Sequence, residues 1–196
     1  MASRRVRLRP LRDADFAFVY ELMTSPAAGG RVRFAGATPS PNQVASSLWD
    51  SVLAQFLVEG ASSGAPKGVV AITSANFRDA FAYLSVLASG PAAGSGLVAE
   101  ATMLACNYAF CTWPFRKLYF EATERSYAAF ASGLGRFFSE EGRLRQHVFW
   151  NQRYEDLLIL AMYRETWARE APRFLARAAA DLDGAAPATT TASPPR

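Results

Sequence analysis

Three small residues, Gly94, Ser95 and Gly96, come directly before a segment whose apolar residues recur at helical spacing, Leu97–Thr112. Residues 81–87, which precede this loop, have the β-branched, aromatic and apolar character of a strand. Glycine has no Cβ, so a ligand can approach its backbone closely, and the first N–H groups of a helix carry a partial positive charge. The order strand, glycine loop and helix therefore predicts a cradle for a phosphate or pyrophosphate, with an ordinary loop that binds nothing as the alternative.

The glycine spacing excludes two common phosphate-binding motifs. No Lys-Ser or Lys-Thr pair follows the glycines, so the loop is not the P-loop of nucleoside triphosphatases. Gly90, Gly94 and Gly96 do not have the GxGxxG spacing of a dinucleotide fingerprint, and the segment is not an early βαβ repeat. The phosphate ligand must therefore belong to another class.

Carboxylates and a tyrosine lie in and after the next predicted strand, Lys117–Thr123. Alternate side chains of a strand point to opposite faces, so Glu121 shares a face with Tyr119, either as a base facing a cleft or as an exposed carboxylate. Glu124 lies at the end of the strand, where open sheets have their ligand-binding sites. The alternative is that it is only a surface charge. Tyr127 could donate a proton if its hydroxyl reaches the reacting atoms of a substrate. The alternative is that it is a half-buried side chain that only packs.

Other residues with chemical potential are interpreted as structural. His147 is the one histidine and lies in a predicted strand, and Glu100 lies inside the helix after the loop, where it is expected to satisfy a polar contact. Cys106 and Cys111 are five positions apart and point in different directions, so neither a disulfide nor a zinc site is expected. A reduced compartment, the cytoplasm, and a chemistry without metal follow as predictions.

Length and composition predict one globular domain. The chain has 196 residues, of which 51% are hydrophobic and 19% charged, and residues 1–183 are expected to form that domain. The net charge of +4 suits an anionic ligand, but the basic residues are scattered rather than arranged in a stripe for nucleic acid. No apolar run is long enough for a bilayer, so no membrane partner is expected. Residues 184–196 have no periodicity and are predicted to be a disordered tail.

The element order predicted from periodicity is β-α-α-β-β-β-α-β-α-β-β. Strands are predicted over residues 6–11, 54–59, 68–73, 81–87, 117–123, 145–150 and 156–163. Helices are predicted after an N-cap at Asp13, from a capping box at Ser40 to about Val52, over Leu97–Thr112, over residues 127–138, and over residues 172–182. Short turns indicate an antiparallel meander, and the crossover helix places the fifth strand parallel to the fourth. The fold class is therefore α/β in the α+β sense, with a mixed, mostly antiparallel sheet of about seven strands flanked by helices.

Two stretches resemble the GNAT acetyltransferase superfamily. The segment from Pro91 to Ala101 (PAAGSGLVAEA) is similar to its coenzyme A loop, Q/R-x-x-G-x-G/A followed by Glu-Ala, although Pro91 replaces the basic or amide residue. The end of the chain resembles the pattern that closes the branch of ribosomal-protein N-terminal acetyltransferases. The matching segments there begin at Glu141 (EGRLR), His147 (HVF), Arg153 (RYED) and Arg164 (RETW). The resemblance extends from Arg7 to Trp167.

The resemblance implies a GNAT fold and an N-acyltransferase that uses acetyl-CoA or another acyl-CoA as cosubstrate and needs no metal. Its acceptor would be the primary amine of a protein N-terminus or of a small molecule. Backbone contacts to the coenzyme are implied for Val86, Leu87 and Ala88 (acyl and pantetheine portions) and for Gly94, Ser95 and Gly96 (pyrophosphate).

The sequence also departs from the family pattern. Glu124 and Tyr127, or Ser126 with a small shift, occupy the region where the family has an Asn and a Ser, and Ala131 stands where many members have the Tyr that protonates the thiolate. A non-catalytic coenzyme A-binding or interaction protein on the same fold therefore remains an alternative. A ribosome- or RNA-binding module is a third, but no aromatic and basic platform supports it. The helix over residues 172–182 could pack on its own domain or on a second subunit of a homodimer.

Overall fold

The computed structural model describes residues 1–25, 34, 37–90, 96–123, 126 and 135–183, with side chains up to residue 176. Its strands are β1 (Val6–Pro10), β2 (Val52–Gly60), β3 (Pro66–Asn76), β4 (Phe81–Ala88), β5 (Lys117–Thr123), β6 (Ser139–Trp150) and β7 (Arg153–Tyr163). Its helices are α1 (Phe16–Thr24), α2 (Pro41–Ser47), α3 (Leu97–Thr112) and α4 (Arg164–Asp183). The predicted tail, residues 184–196, lies outside the described residues.

The seven strands form a single sheet in the order β1-β2-β3-β4-β5-β7-β6. Each neighbouring pair is antiparallel except β4 and β5, which are parallel. The crossover through α3 produces this parallel pair, because the chain must return to the same edge of the sheet before β5 begins. The predicted fold class and the predicted parallel pairing are both confirmed.

The start of α2 follows from its sequence. The Gln43 N–H donates to the Ser40 hydroxyl at 3.3 Å, and the Ser40 N–H donates to Gln43 Oε1 at 2.8 Å, which is the predicted capping box. The predicted end of the helix near Val52 is wrong. A turn that includes Ser51 in the left-handed region (φ 57°) ends the helix early, and the β-branched Val52 pairs with Thr73 in the sheet.

The first helix begins later than its predicted N-cap, Asp13. Residues Asp13–Asp15 form a turn of 3-10 helix, and α1 begins at Phe16. The N-cap of this turn is Arg12, in an extended conformation, rather than Asp13. The Arg12 N–H donates to the carboxylate of Asp15, three residues later, at 2.8 Å, as in a capping box.

The C-terminal elements are longer than predicted. Strand β6 begins at Ser139, because its polar first residues pair with apolar β7 at Ala161 and Leu160. Residues 172–182 are helical as predicted, but they are the second half of helix α4, which begins directly after β7 and includes Pro172, and not a short separate helix. The helix predicted over residues 127–138 lies mostly outside the described residues, and its last part is a turn in which Gly135 has a φ of 72°.

The sheet is packed on both faces. One face carries the main core, formed with α3 and α4, in which Trp167 is 4% exposed and stacks on Phe110 with ring centroids 6.2 Å apart. Trp167 therefore closes the main core. The other face packs against α1 through Val19, Leu22 and neighbours in β2 and β3. Among the described helices, none is long and apolar enough to cross a membrane.

Candidate active site

Strands β4 and β5 separate toward their carboxyl ends. They pair through three positions, the last of which joins Tyr83 to Tyr119. Beyond that point β4 continues along β3 as far as Ala88, and β5 continues along β7 as far as Thr123. Among the described strands, nothing therefore pairs with the β5-facing edge of β4 after Tyr83. Backbone N–H and C=O groups on that edge are available to a ligand.

A small, mostly apolar hollow, which we call the cleft, lies between the end of β4 and the start of α3. Its walls are formed by residues of β2, β3, β4 and α3, namely Val58, Lys67, Gly68, Val86, Leu87, Ala88, Leu97, Val98 and Ala101. The three β4 residues proposed from the sequence to meet the acyl and pantetheine portions are among them. The structure thus brings these residues next to the first turn of the helix that follows the glycine loop.

Gly96 begins α3 in the left-handed region, with a φ of 74°. A Cβ at this position would lie 3.2 and 3.3 Å from the Arg5 guanidinium nitrogens, so this cation stands beside the helix N-terminus. Glu100 accepts a hydrogen bond from the Ser3 hydroxyl at 2.7 Å and pairs with Arg5 at 3.5 Å, which confirms its structural role. The proposed pyrophosphate contacts Gly94 and Ser95 lie outside the described residues.

Two features hold the end of β4 against β3. A Cβ on Gly68 would lie 2.3 Å from the Leu87 carbonyl oxygen, so only glycine permits this close approach of the two strands. The backbone N–H and the hydroxyl of Ser89 both donate to the Lys67 carbonyl oxygen, at 2.9 and 3.1 Å. These contacts draw β4 toward β3 at the place where it leaves β5.

The sheet face away from α3 carries a group of tyrosines and charges beside this separation. We call it the tyrosine face, and its members are Tyr83, Lys117, Tyr119, Glu121, Glu141 and Tyr163. The rings of Tyr83 and Tyr119 have centroids 5.3 Å apart at an interplanar angle of 31°. As strand alternation predicted, Glu121 and Tyr119 lie on this same face, while Phe120 points into the core.

Glu141 is fully engaged on the tyrosine face. Lys117 donates to its two oxygens at 2.7 and 3.0 Å, Tyr119 donates at 2.8 Å, and Tyr163 donates to Oε1. Burial alone would raise the pKa of Glu141, but these donors outweigh burial and the pKa is lowered. Burial likewise acts to lower the pKa of Lys117, and the hydrogen bonds to Glu141 reverse the direction. Both side chains therefore carry their charges at neutral pH.

Glu121 differs from Glu141 in its partners, although both residues are exposed. Within the described part of the chain, no side chain forms a hydrogen bond or an ion pair with it. Burial raises the pKa of the Tyr83 phenol, and the charge of Glu121 raises it further. The Tyr83 hydroxyl therefore stays protonated at neutral pH, next to a carboxylate that has room for a ligand.

The remaining candidates do not belong to this face. Glu124, Tyr127 and Ala131 lie outside the described residues, so their roles stay predictions. His147 is exposed on β6. Both cysteines are free, and burial raises the pKa of the Cys106 thiol. In the residues that the structure describes, no cluster of His, Cys, Asp and Glu could hold a metal ion.

Sequence reasoning missed Tyr83, Lys117 and Glu141 as members of one site. These residues come from β4, β5 and β6, and no local pattern joins them. One signal was available, because Glu141 opens the EGRLR segment that carries the resemblance to the acetyltransferases.

No protein-family model and no curated protein matches the chain. Solved structures match it closely in fold. A spermidine N-acetyltransferase from Vibrio cholerae in complex with CoA and spermine aligns with a TM-score of 0.72 and 21% identity, over 84% of this chain and 98% of that one. The SpeG spermidine/spermine N-acetyltransferase of the same organism, with manganese ions, gives a TM-score of 0.68 and 21% identity, over 85% of this chain and 97% of that one. The chain therefore has the GNAT fold of these enzymes, and the predicted fold is confirmed. Assignment to the ribosomal-protein branch stays a prediction.

Proposed function

We propose that this protein is an acyl-CoA-dependent N-acyltransferase that transfers an acetyl group, or a related acyl group, to a primary amine. The observation that carries the proposal is the separation of β4 and β5 directly beside the cleft at the start of α3. The fold shared with N-acetyltransferases, one of them in complex with CoA, supports it.

The coenzyme would lie along the free edge of β4. In this proposal the backbone of Val86, Leu87 and Ala88 contacts the acyl and pantetheine portions, and an N–H group there donates to the thioester carbonyl oxygen. Gly94, Ser95 and Gly96 contact the pyrophosphate, where the first N–H groups of α3 and its dipole favour a negative charge. These are main-chain roles, so the loss of a basic side chain at Pro91 does not remove them.

The transfer forms a C–N bond and breaks the C–S bond of the thioester. The amine must lose a proton before or during attack, and the leaving thiolate must gain one. In our proposal Glu121 accepts the amine proton, directly or through one water, with Glu124 as the alternative base. In the same proposal the protonated Tyr83 hydroxyl donates its proton to the leaving sulfur, with Tyr127 as the alternative acid. Positioning of amine and thioester supplies the larger part of the acceleration.

A thermal-shift measurement tests the coenzyme site, with CoA, acetyl-CoA and longer acyl-CoAs as ligands. A ligand at about 100 times its Kd stabilises the folded state by about 2.7 kcal/mol, which is a visible change in Tm. Adenosine and pantetheine, offered separately, are matched controls because each lacks the pyrophosphate. The acyl-CoAs should stabilise the protein and the controls should not. Absence of any shift with all acyl-CoAs would contradict the proposal.

A second function is favoured by two departures from the superfamily pattern, the missing Asn after the fifth strand and Ala131 in place of the Tyr that protonates the thiolate. It is a coenzyme A-binding or interaction protein without turnover. Thiol release with acetyl-CoA and a broad panel of primary amines separates the two functions. Release above the rate without amine supports the enzyme, and a Tm shift without release supports the binding protein.

A further inference from the structure

We infer that the acceptor binds as a single ammonium group held by Glu121 beside the rings of Tyr83 and Tyr119, which makes primary monoamines with an apolar body the substrate class rather than polyamines. The inference rests on the proposed function and assigns the acceptor side of the same site.

The first step is that Glu141 is unavailable to an acceptor. Lys117 binds both of its oxygens, at 2.7 and 3.0 Å, and the hydroxyls of Tyr119 and Tyr163 donate to the same carboxylate. Lys117 is only 8% exposed, so its ammonium is held in place by the fold. The pair contributes no net charge to the tyrosine face, and its acceptor atoms are already used.

The second step is that Glu121 is available. It is exposed two residues after Tyr119 on the same face, and no described side chain hydrogen-bonds or ion pairs with it. An ammonium that pairs with this carboxylate would lie beside the rings of Tyr83 and Tyr119, whose centroids are 5.3 Å apart. Phe81, with its ring centroid 5.5 Å from that of Tyr119, extends the aromatic surface for an apolar substituent.

The third step is that a second ammonium finds no free counter-charge on the tyrosine face. The Lys117 Nζ lies 4.5 Å from the centroid of the Tyr119 ring, so the cation of the neutral Lys117–Glu141 pair already lies beside this tyrosine. A diamine that reached along the face from Glu121 would bring its second ammonium to this pair without a free described carboxylate to receive it. A charge that loses water without gaining a partner is a means of rejecting a competing ligand.

The decisive experiment compares two amines of equal length, hexylamine and hexamethylenediamine, as acceptors for acetyl-CoA. We expect kcat/KM to be about tenfold or more higher for hexylamine, because only the diamine brings a second cation. A higher kcat/KM for the diamine, or for spermidine over both, would overturn the inference.

Variants of Glu121 and of a control carboxylate, Glu165, test whether Glu121 binds the cation. Glu121→Gln should weaken binding of hexyltrimethylammonium, a cation that cannot be acylated, by about tenfold in a calorimetric titration. Glu165→Gln, an exposed carboxylate on α4, is the matched control and should leave this binding unchanged. If the proposed function fails, the acetyl-CoA thermal shift disappears, whereas this titration still reports on the cation site. A titration without binding, or binding that Glu121→Gln does not weaken, overturns the inference.

Lys117→Met tests the role of the built-in cation. Removal of this ammonium frees Glu141, so the preference for hexylamine over hexamethylenediamine should fall by about tenfold. The double variant Lys117→Met/Glu141→Gln has no free carboxylate there and should keep the wild-type preference. Thermal unfolding verifies that both variants are folded, and an unchanged preference in the folded single variant would overturn the inference.

Discussion

Two clusters of charged residues on the sheet differ in whether every carboxylate has a hydrogen-bond partner. Near the β1 edge, buried Glu59 accepts hydrogen bonds from Arg7 and Arg9, and Arg9 also binds both oxygens of Asp15 at 2.7 Å. On the tyrosine face, Glu141 is engaged in the same complete manner, but Glu121 beside it has no described partner. A carboxylate whose oxygens are already hydrogen-bonded serves the fold, and an exposed one without a partner remains available for chemistry.

The first cluster has a clear structural purpose. Arg7 and Glu59 face each other across β1 and β2, and Arg9 reaches from β1 to the turn before α1. The cluster therefore ties the edge strand and the first helix to the sheet. Its position, at the opposite end of the strand order from β5 and β7, keeps it away from the separation of β4 and β5.

The largest expected effect is on activity, from Glu121→Gln. If this carboxylate accepts the amine proton, its replacement should lower kcat/KM by about a hundredfold to ten-thousandfold, the range of general-base catalysis. The Tm should change little because Glu121 is exposed. Initial rates of thiol release measure the effect, with Glu165→Gln as control. Wild-type activity in Glu121→Gln would transfer the base role to another group, with Glu124 the next candidate.

The next effect is on stability, from Glu59→Gln. The substitution leaves Arg7 and Arg9 beside a neutral side chain in a buried place, and should lower the free energy of unfolding by about 2–3 kcal/mol, since Arg7 is partly solvated. Urea denaturation measures it. A loss as small as that of exposed Glu165→Gln would show that the paired cluster does not stabilise the fold.

A smaller effect should come from the backbone contact beside the cleft. Gly68→Ala places a methyl group 2.3 Å from the Leu87 carbonyl oxygen, and the resulting shift of β4 should cost about 1–2 kcal/mol and weaken coenzyme binding. Gly142→Ala is the control, because its Cβ would meet Ile159 at an ordinary 3.8 Å. Equal stability of the two variants would contradict the close approach of β3 and β4.

The smallest expected effect is a difference between wild type and Glu59→Gln in how the free energy of unfolding depends on pH. Burial acts to raise the pKa of Glu59, but its arginine partners outweigh burial and lower it from the ordinary value of 4.5. The unfolded state therefore binds the proton more readily, so the stability from this pair is complete above about pH 4.5 and is lost as the pH falls through the lower folded-state pKa. Urea denaturation between pH 3 and 6 measures this. The free energy of unfolding of Glu59→Gln should fall by about 1 kcal/mol less than that of wild type as the pH is lowered over this range. Parallel curves for the two proteins would contradict the pairing.

Local patterns predicted much of the fold. The bounds of α3 and β5 follow from periodicity alone, and the segment beginning at Arg164 has a structural explanation. The Arg164 guanidinium donates to the carbonyl oxygens of Phe110, Trp113 and Phe115, which closes the C-terminal end of α3. Trp167, three residues later, packs on that same end.

The candidate site was less accessible from sequence, because it depends on where strands stop pairing. The separation after Tyr83 is set by the close approach at Gly68 and by the pairing of β5 with β7, neither of which a local pattern encodes. The engagement of Glu141 by Lys117 likewise joins strands 24 residues apart in the chain. Alternation along β5 did place Glu121 on an exposed face, but not the pairing that distinguishes it from Glu141.

The catalytic role of Glu121 is tested by measuring N-acetylhexylamine by mass spectrometry after incubation with acetyl-CoA, for wild type, Glu121→Gln and Glu59→Gln. The temperature is chosen well below the Tm of the least stable protein. We predict product from wild type and from Glu59→Gln at similar rates, and a loss of about a hundredfold or more in Glu121→Gln. No product from wild type, or equal rates in wild type and Glu121→Gln, would contradict the assignment of chemistry to the exposed carboxylate.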